Sequence, residues 1–221
     1  MNDGPRISLW WLAPPAALIA LNLVAINTSS PSDMRNGVYQ GSVVASALVS
    51  AIAFGGYSVM AAWFARTNVR DALALHRPRD LRQAVLMSAG CVVVVSAVSL
   101  ALDPFLHGDR DQGLTPTRSP HGNEWLVLAL ALLVLGLLVP LGEELLFRGL
   151  TFATLGRYAV PGSAVFFALA HGLPQLLIQV LIAGLLLGEL RRRTGSLWPG
   201  VATHATINLL GILLALATVS R

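Results

Sequence analysis

Long apolar runs separated by short polar loops are the feature that most constrains this chain of 221 residues. An apolar run of about 20 residues matches a helix that crosses the hydrocarbon core of a bilayer. Lipid offers the backbone no hydrogen-bond partners, so a segment that crosses it forms a helix to satisfy its own amides. Charged residues make up 12% of the sequence, compared with about 25% in soluble domains. We therefore expect an all-α, polytopic transmembrane helix bundle.

The apolar runs predict about seven helices, and the fifth is too short to cross a membrane alone. They cover residues 9–26, 39–64, 84–102, 125–142, 162–172, a segment from a turn at Pro174 to residue 190, and 197–219. The first run lacks a clear small-residue cleavage pattern, so we interpret it as a retained helix rather than a signal peptide. We divide the chain into residues 1–124, with three helices and an outer loop, and residues 125–221, the C-terminal bundle.

Arginine supplies the positive charge of the chain, which contains no lysine and has a net charge of +4. On a membrane protein such a charge usually reports topology, so we expect no nucleic-acid partner. Basic loops stay cytoplasmic, which places loop 66–83 inside and loop 103–124 outside. The arginine run at 191–193 should then be inside as well. The stretch from Arg157 to Arg191 returns to the same side only as a helical hairpin.

Ionisable side chains within the apolar runs are few, and they fall in the C-terminal half together with the strongly polar Asn208. Each is costly in hydrocarbon, so such residues mark a functional site or a contact between helices. The set consists of Glu143, Glu144, Arg148, His171, His204 and Asn208. The single cysteine, Cys91, lies in an apolar run and excludes an intrachain disulfide.

The spacing of the polar residues places them on common helix faces. Glu144 and Arg148 are four residues apart and can pair, while Glu143 lies about 100° around the helix from Glu144. Two further pairs have the same spacing, Phe167 with His171 and His204 with Asn208. Counted along the helices, Glu143, His171 and His204 lie in the cytoplasmic half, with Glu143 near the end of the fourth helix. A mid-helix proline, Pro140, favours a kink just before the glutamates.

Several chemistries fit this set of side chains. A carboxylate and an imidazole that flank a water form a general-base pair, and a second imidazole with a carboxamide can donate to a developing oxyanion. Glu143, His171 and His204 also fit a three-ligand zinc site with an open water position, although no HExxH motif is present. A structural alternative is that the ion pair fixes helix packing and that the other polar groups link neighbouring helices.

Three motifs occur in order along successive membrane helices: EExxxR at 143–148, FxxxH at 167–171 and HxxxN at 204–208. Together they resemble the CAAX-protease and bacteriocin-processing family, also called the Abi or type II CAAX endopeptidase family, which consists of intramembrane glutamate proteases. The resemblance covers residues 138–210. It implies a helix bundle with a conical cavity that opens to the cytoplasm and the membrane.

The resemblance also implies a role for the motif residues. These roles are water activation by Glu143 and His171, an oxyanion hole from His204 and Asn208, and support of the site by Glu144 and Arg148. We expect Phe167 to form a wall of the site. The family is better described as metal-free than as zinc-dependent, so no cofactor is expected and zinc is the alternative.

The expected function is hydrolysis of a peptide or membrane-protein substrate within or beside the bilayer. A chain rich in arginine without lysine is typical of a high-GC bacterium, so we expect the bacterial cell membrane and do not extend prenyl specificity to this chain. Bacterial relatives are linked to bacteriocin processing or self-immunity. Two alternatives are a scaffold that uses the same cavity for a membrane partner, and a transporter with a proton relay. We find no paired repeats, which transporters usually show.

Overall fold

The computed structural model describes residues 7–28, 36–106, 116, 118–172 and 176–219, and within these ranges the chain is helical with no strand. Short 3₁₀ turns and a one-turn helix connect the long helices. The long helices are α1 (Ala13–Thr28), α2 (Gly41–Phe64), α3 (Leu81–Leu106), α4 (124–155), α5 (Ala159–His171), α6 (Leu177–Thr194) and α7 (Trp198–Val219). The prediction of an all-α bundle of about seven helices is confirmed.

Four helical segments of the described chain are long and apolar enough to cross a membrane: Gly41–Phe64, Leu81–Leu102, Glu124–His171 and Trp198–Ala217. Large apolar side chains on the outside of the bundle are exposed, among them Trp63 and Leu100. Apolar side chains outward and polar ones inward suit a protein that is surrounded by lipid. The chain is a multi-pass membrane protein.

Helix α4 is longer than the sequence predicted and changes its hydrogen-bond register twice. It runs through Glu124–Leu133, a π-helical segment Val134–Leu138, Val139–Glu144, a second π-helical segment Leu145–Leu150, and Thr151–Leu155. The prediction that Glu143 lies near the end of this helix is wrong. The helix continues past this residue because Glu144 and Arg148, which interrupt the apolar run, are buried and paired with each other.

The first π-helical segment accommodates Pro140. Proline has no backbone N–H and cannot make the ordinary bond inside a helix. In this segment Val139 donates its N–H to the carbonyl of Val134, five residues back. A π-bulge is one of the recognised ways in which a helix absorbs such a break. The predicted irregularity before the glutamates is therefore present, as a change of register.

Helices α5 and α6 form the predicted hairpin. A Cβ atom placed on Gly184 would lie 3.0 Å from Ala164 Cα, and one on Gly188 would lie 3.5 Å from Val160 Cα. Contacts that advance along α6 as they move back along α5 belong to antiparallel helices. The predicted turn at Pro174 lies outside the described residues. With 13 residues, α5 rises about 20 Å, less than the roughly 30 Å of a hydrocarbon core.

The arginine-rich segment between α2 and α3, which we call the α2–α3 loop (residues 65–80), is tied to the turn between α6 and α7. Arg79 donates its N–H to the carbonyl of Thr194 at 3.1 Å, and Leu197 donates to the carbonyl of Ala74 at 2.9 Å. The hydroxyl of Ser196 donates to the carbonyl of His76 at 2.5 Å. The two basic regions therefore lie at the same end of the bundle, as their charge predicted.

Candidate active site

A fully buried ion pair lies at the centre of the C-terminal bundle. Arg148 Nη1 donates to Glu144 Oε1 at 2.9 Å, and neither side chain has any exposed surface. A second donor of the guanidinium, Nη2, reaches the carbonyl of Gly184 on α6 at 3.2 Å. The guanidinium carbon lies 4.3 Å from the centre of the Phe167 ring on α5. The pair predicted from the four-residue spacing is confirmed, and it joins α4 to both helices of the hairpin.

His204 on α7 lies between the two adjacent glutamates of α4. Its Nδ1 is 3.1 Å from Glu144 Oε1, a hydrogen-bond distance. Its Nε2 is 3.6 Å from Glu143 Oε2, which exceeds the range of a good hydrogen bond. The side chain of His204 is 8% exposed and that of Glu143 is 15% exposed, whereas Glu144 is closed off completely. Only Glu143 of the two carboxylates therefore faces accessible space.

His171 ends α5 and is held by its own helix. Its Nδ1 lies 2.9 Å from the carbonyl of Phe167, one turn back. A carbonyl can only accept, so Nδ1 carries a proton and Nε2 is left for another partner. The ring of Phe167 packs edge-on against the rings of both His171 and His204, with centroids 4.7 and 5.6 Å away. Within the described residues His171 makes no hydrogen bond or ion pair with Glu143.

Asn208 lies one turn after His204 and contacts α4 rather than the carboxylates. Its Nδ2 donates to the carbonyl of Leu135 at 3.0 Å. In the π-helical register of that segment, the N–H that would reach Leu135 belongs to Pro140, and proline has none. Asn208 thus supplies the donor that Pro140 lacks and ties α7 to α4. The amide keeps a second N–H, which no described group accepts.

Comparison with known families bears on the same part of the chain. Residues 125–210 match the family model described as type II CAAX prenyl endopeptidase Rce1-like. The C-terminal part of this chain is similar to this family. The match contains the whole segment, 138–210, on which the three motifs resemble CAAX proteases, and it confirms that resemblance. No curated protein and no solved structure matched the chain.

The Rce1-like match and the membrane-compatible helices together support a multi-pass protease of the CAAX type, which is a hydrolase of peptide bonds. They also indicate a peptide substrate and a lipid bilayer as the partners of the chain. All three motifs, EExxxR, FxxxH and HxxxN, contribute side chains to the buried cluster or to its immediate support.

The three ligands expected for a zinc site, Glu143, His171 and His204, are not brought together in the described residues. Among the described residues no group of three histidine, cysteine, aspartate or glutamate side chains is arranged to hold a metal ion. Glu143 and His204 lie close together, but Nδ1 of His171 is occupied by the Phe167 carbonyl, and His171 makes no ion pair with Glu143 in the described chain. The residues present therefore do not fit a three-ligand zinc centre in this conformation.

Two glycines support the ion pair, and sequence reasoning missed both. Gly184 supplies the carbonyl that accepts from Arg148, and its missing side chain lets α5 approach. Gly200 on α7 packs on the other carboxylate oxygen, because a Cβ there would lie 2.9 Å from Glu144 Oε2. That oxygen and Arg148 Nε are buried without a hydrogen-bond partner among the described residues. The sequence alone does not show which side chain or helix packs against a glycine in an apolar helix.

The expected cavity is not among the two grooves that the described residues form most clearly. One groove lies between α1, the end of α4 and α5, and includes Ala16 and Tyr158. The other lies between α3 and α7 and includes Ala89 and Ala202. Neither is lined by the carboxylates or by the two histidines of the cluster. An opening from the cytoplasm to Glu143 stays a prediction.

Proposed function

We propose that this chain is an intramembrane endopeptidase in which Glu143 and His171 activate a water for attack on a peptide bond. The observation that carries the proposal is the difference between two adjacent carboxylates. Glu144 is sealed and paired with Arg148, while Glu143 is partly accessible and has only a long contact, 3.6 Å, to His204. A carboxylate without a strong partner can accept a proton from water.

The proposed general base acts together with the free nitrogen of His171. Since Nδ1 of that ring donates to the Phe167 carbonyl, Nε2 is the nitrogen that would accept or return a proton. The edge-on contact between the rings of Phe167 and His171 supports a fixed direction for Nε2. Glu143 and His171 do not touch, and a water that bridges them would be the group that both activate.

The proposed oxyanion donors are His204 and Asn208. For His204 to donate from Nε2 while Nδ1 donates to Glu144, the ring must carry both protons, and the carboxylates beside it would balance that charge. Asn208 would use the N–H that does not bond Leu135. Donors that are fixed before the reaction stabilise developing charge better than mobile ones. Both residues are held by α4, which supports this role.

The proposed substrate is a peptide or membrane protein of a bacterial cell membrane. The deeply apolar surroundings of the cluster favour a segment that enters from the bilayer over a folded soluble domain. Prenylated substrates are not part of the proposal, because an arginine-rich chain without lysine is typical of a high-GC bacterium and bacteria generally lack prenylated CAAX proteins.

The test is proteolysis of a membrane-peptide library by the purified full-length chain in detergent or nanodiscs. We expect wild type to cleave, Glu143→Gln to be inactive, and Glu189→Gln to be fully active. Glu189 is a matched control because it is a half-exposed glutamate that pairs with Arg192 and Arg193, away from the cluster. Glu143→Gln keeps the shape of the side chain and removes only its ability to take a proton.

The same assay separates the alternatives. Cleavage that is retained in a zinc chelator agrees with the proposal, and cleavage lost in the chelator would replace it with a metal-dependent reaction. Equal cleavage by wild type and Glu143→Gln would assign the activity to other residues. Absence of cleavage, combined with capture of a membrane partner that Glu143→Gln still binds, would favour the scaffold.

A further inference from the structure

A groove of about 650 Å³ runs between α3 and α7, and we call it the α3–α7 groove. On α3 its lining extends from Leu81 to Val93, and on α7 it extends from Trp198 to Thr206. The part on α3 rises about 18 Å, close to the depth of one leaflet of a hydrocarbon core of roughly 30 Å. The groove therefore has the length and the apolar lining that suit an acyl chain.

Two arginines come from the end of the bundle at which Pro78 and Trp198 line this groove. Arg79 follows Pro78 directly, and a Cβ atom on Gly195 would lie 3.1 Å from Arg79 Nε. Arg191 lies one turn before Gly195, whose N–H donates to the Arg191 carbonyl at 3.1 Å. Both side chains thus come from the end of the bundle where the α2–α3 loop meets the turn between α6 and α7.

Neither guanidinium has a carboxylate partner among the described residues, in contrast to Arg192 and Arg193, which both bind Glu189. Arg191 donates from Nε to the carbonyl of Arg148 at 3.2 Å and packs over the ring of Phe152. Its two Nη groups have no hydrogen-bond acceptor in the described part of the chain. Burial, and then the charge of Arg79, lower the pKa of Arg191 to about 10. A third, anionic group would relieve this repulsion.

The backbone holds these two cations in place before any ligand binds. The bond from Arg79 N–H to the Thr194 carbonyl, together with those made by Ser196 and Leu197, fixes the α2–α3 loop to the end of α6. Guanidinium groups bind phosphate oxygens with paired hydrogen bonds, and prior fixation reduces the entropy lost on binding. The arrangement provides charge at the level of lipid headgroups and an apolar groove beside it.

We propose that this region binds one anionic phospholipid, with its phosphate on Arg79 and Arg191 and an acyl chain in the α3–α7 groove. The proposal does not depend on the protease activity. Lipid that merely surrounds the bundle would not be retained one to one, and its binding would depend on Arg77 as much as on Arg79. A bound lipid would lie against Thr203, next to His204 on α7.

The test is native mass spectrometry of the full-length chain released from detergent, titrated with phosphatidylglycerol or with phosphatidylcholine. We expect one molecule of phosphatidylglycerol to be retained, and phosphatidylcholine to bind at least about tenfold more weakly, because each arginine near an anionic headgroup contributes about a fivefold change in affinity. Arg79→Gln should weaken retention about fivefold. Arg77→Gln is the matched control, because Arg77 is an exposed arginine of the same loop with no ion pair in the described chain, and it should change nothing.

A second pair of variants tests the groove without changing charge. Ala202 is exposed and lines the α3–α7 groove, so Ala202→Phe should abolish retention by filling it. Ala16→Phe, in the other groove, should leave retention intact. Equal binding of both lipids, equal loss in Arg77→Gln, or displacement of the lipid by inorganic phosphate alone would overturn the proposal. Arg79 is exposed, so its variant should fold and keep the result decisive even if Arg191→Gln does not.

Discussion

The two sides of the polar cluster differ more than their neighbouring positions in the chain suggest. On the inner side, Glu144 and Arg148 have no exposed surface and are held by α4, α5, α6 and α7. On the outer side, Glu143 and His171 keep some exposure and have few polar partners. A single step along a helix turns a side chain by about 100°, which is enough to separate a structural carboxylate from one that can react.

On the inner side, the buried charges of Glu144 and Arg148 stabilise each other. On the outer side, Glu143 keeps a carboxylate without a short hydrogen bond to a described side chain. The inner pair joins four helices at one point. Those helices in turn set the positions of Glu143 and His171. Two buried atoms of the pair, Glu144 Oε2 and Arg148 Nε, still lack a hydrogen bond within the described chain. The inner side is therefore sensitive to any change in packing, and the outer side is sensitive to changes in chemistry.

The largest effect is expected from breaking the inner pair. Arg148→Ala leaves Glu144 buried without its cation, and removal of one partner of a buried pair lowers the free energy of unfolding by about 3–5 kcal/mol. Thermal unfolding in detergent should show it, with Arg157→Ala, which removes an exposed arginine, as the control. If Glu143→Ala lowered the unfolding temperature as much as Arg148→Ala, the two sides would not differ.

A change on the outer side should separate activity from stability. His171→Gln removes the imidazole that we propose as a proton carrier, and loss of a general base lowers the rate by about 10²- to 10⁴-fold. The unfolding temperature should change little, because His171 is partly exposed and its polar contact is to its own helix. Peptide cleavage and thermal unfolding measured on one preparation check this. A large loss of stability would move His171 to the inner side.

A smaller effect is expected where α7 packs on the inner carboxylate. The added methyl of Gly200→Ala would lie 2.9 Å from Glu144 Oε2, and overpacking of this kind costs about 1–3 kcal/mol. Gly211 on the same helix has open space around it, so Gly211→Ala should be neutral or slightly stabilising. Chemical denaturation of both variants in one detergent gives the comparison. Equal stabilities would contradict the close packing of α7 on Glu144.

The smallest change in stability is expected at Asn208. Asn208→Ala removes the bond to the Leu135 carbonyl, and a hydrogen bond between membrane helices contributes about 0.6 kcal/mol on average. If Asn208 is also an oxyanion donor, cleavage should fall by about 10²-fold or more in the same variant. Replacing Pro140 by alanine restores an N–H to α4, so Pro140→Ala should recover part of the lost stability and none of the lost activity.

Much of the inner side could be predicted because helical spacing is a local property. Residues four apart share a face, and this alone places Arg148 beside Glu144. The length of α4 could not be predicted in the same way, because the polar stretch after Gly142 looks like a helix end unless its burial is known. The sites of the π-helical segments were also hidden, since they depend on how α2 and α7 pack against α4.

For the outer side, the sequence indicated which residues lie near one another, but it did not indicate which side chains contact each other. Charge in the loops indicated the hairpin of α5 and α6, which brings Phe167 and His171 to the cluster. The sequence could not show that His204 contacts both glutamates, because the rotation of α7 depends on close packing at Gly200. The roles of Glu143, His171, His204 and Asn208 in catalysis stay predictions.

The bonds between the α2–α3 loop and the start of α7 also have a consequence for how the chain is assembled during synthesis. The carbonyl of His76 accepts a hydrogen bond from the hydroxyl of Ser196, which is synthesised 120 residues later. At about 5–20 residues per second, a ribosome needs roughly 6–24 s to supply that partner. During this interval the α2–α3 loop lacks its bonds to residues 194–197, and water takes the place of those partners. A nascent chain interrupted before Thr194 lacks every one of these bonds, and we expect an added protease to cut its α2–α3 loop faster than the loop of the whole chain.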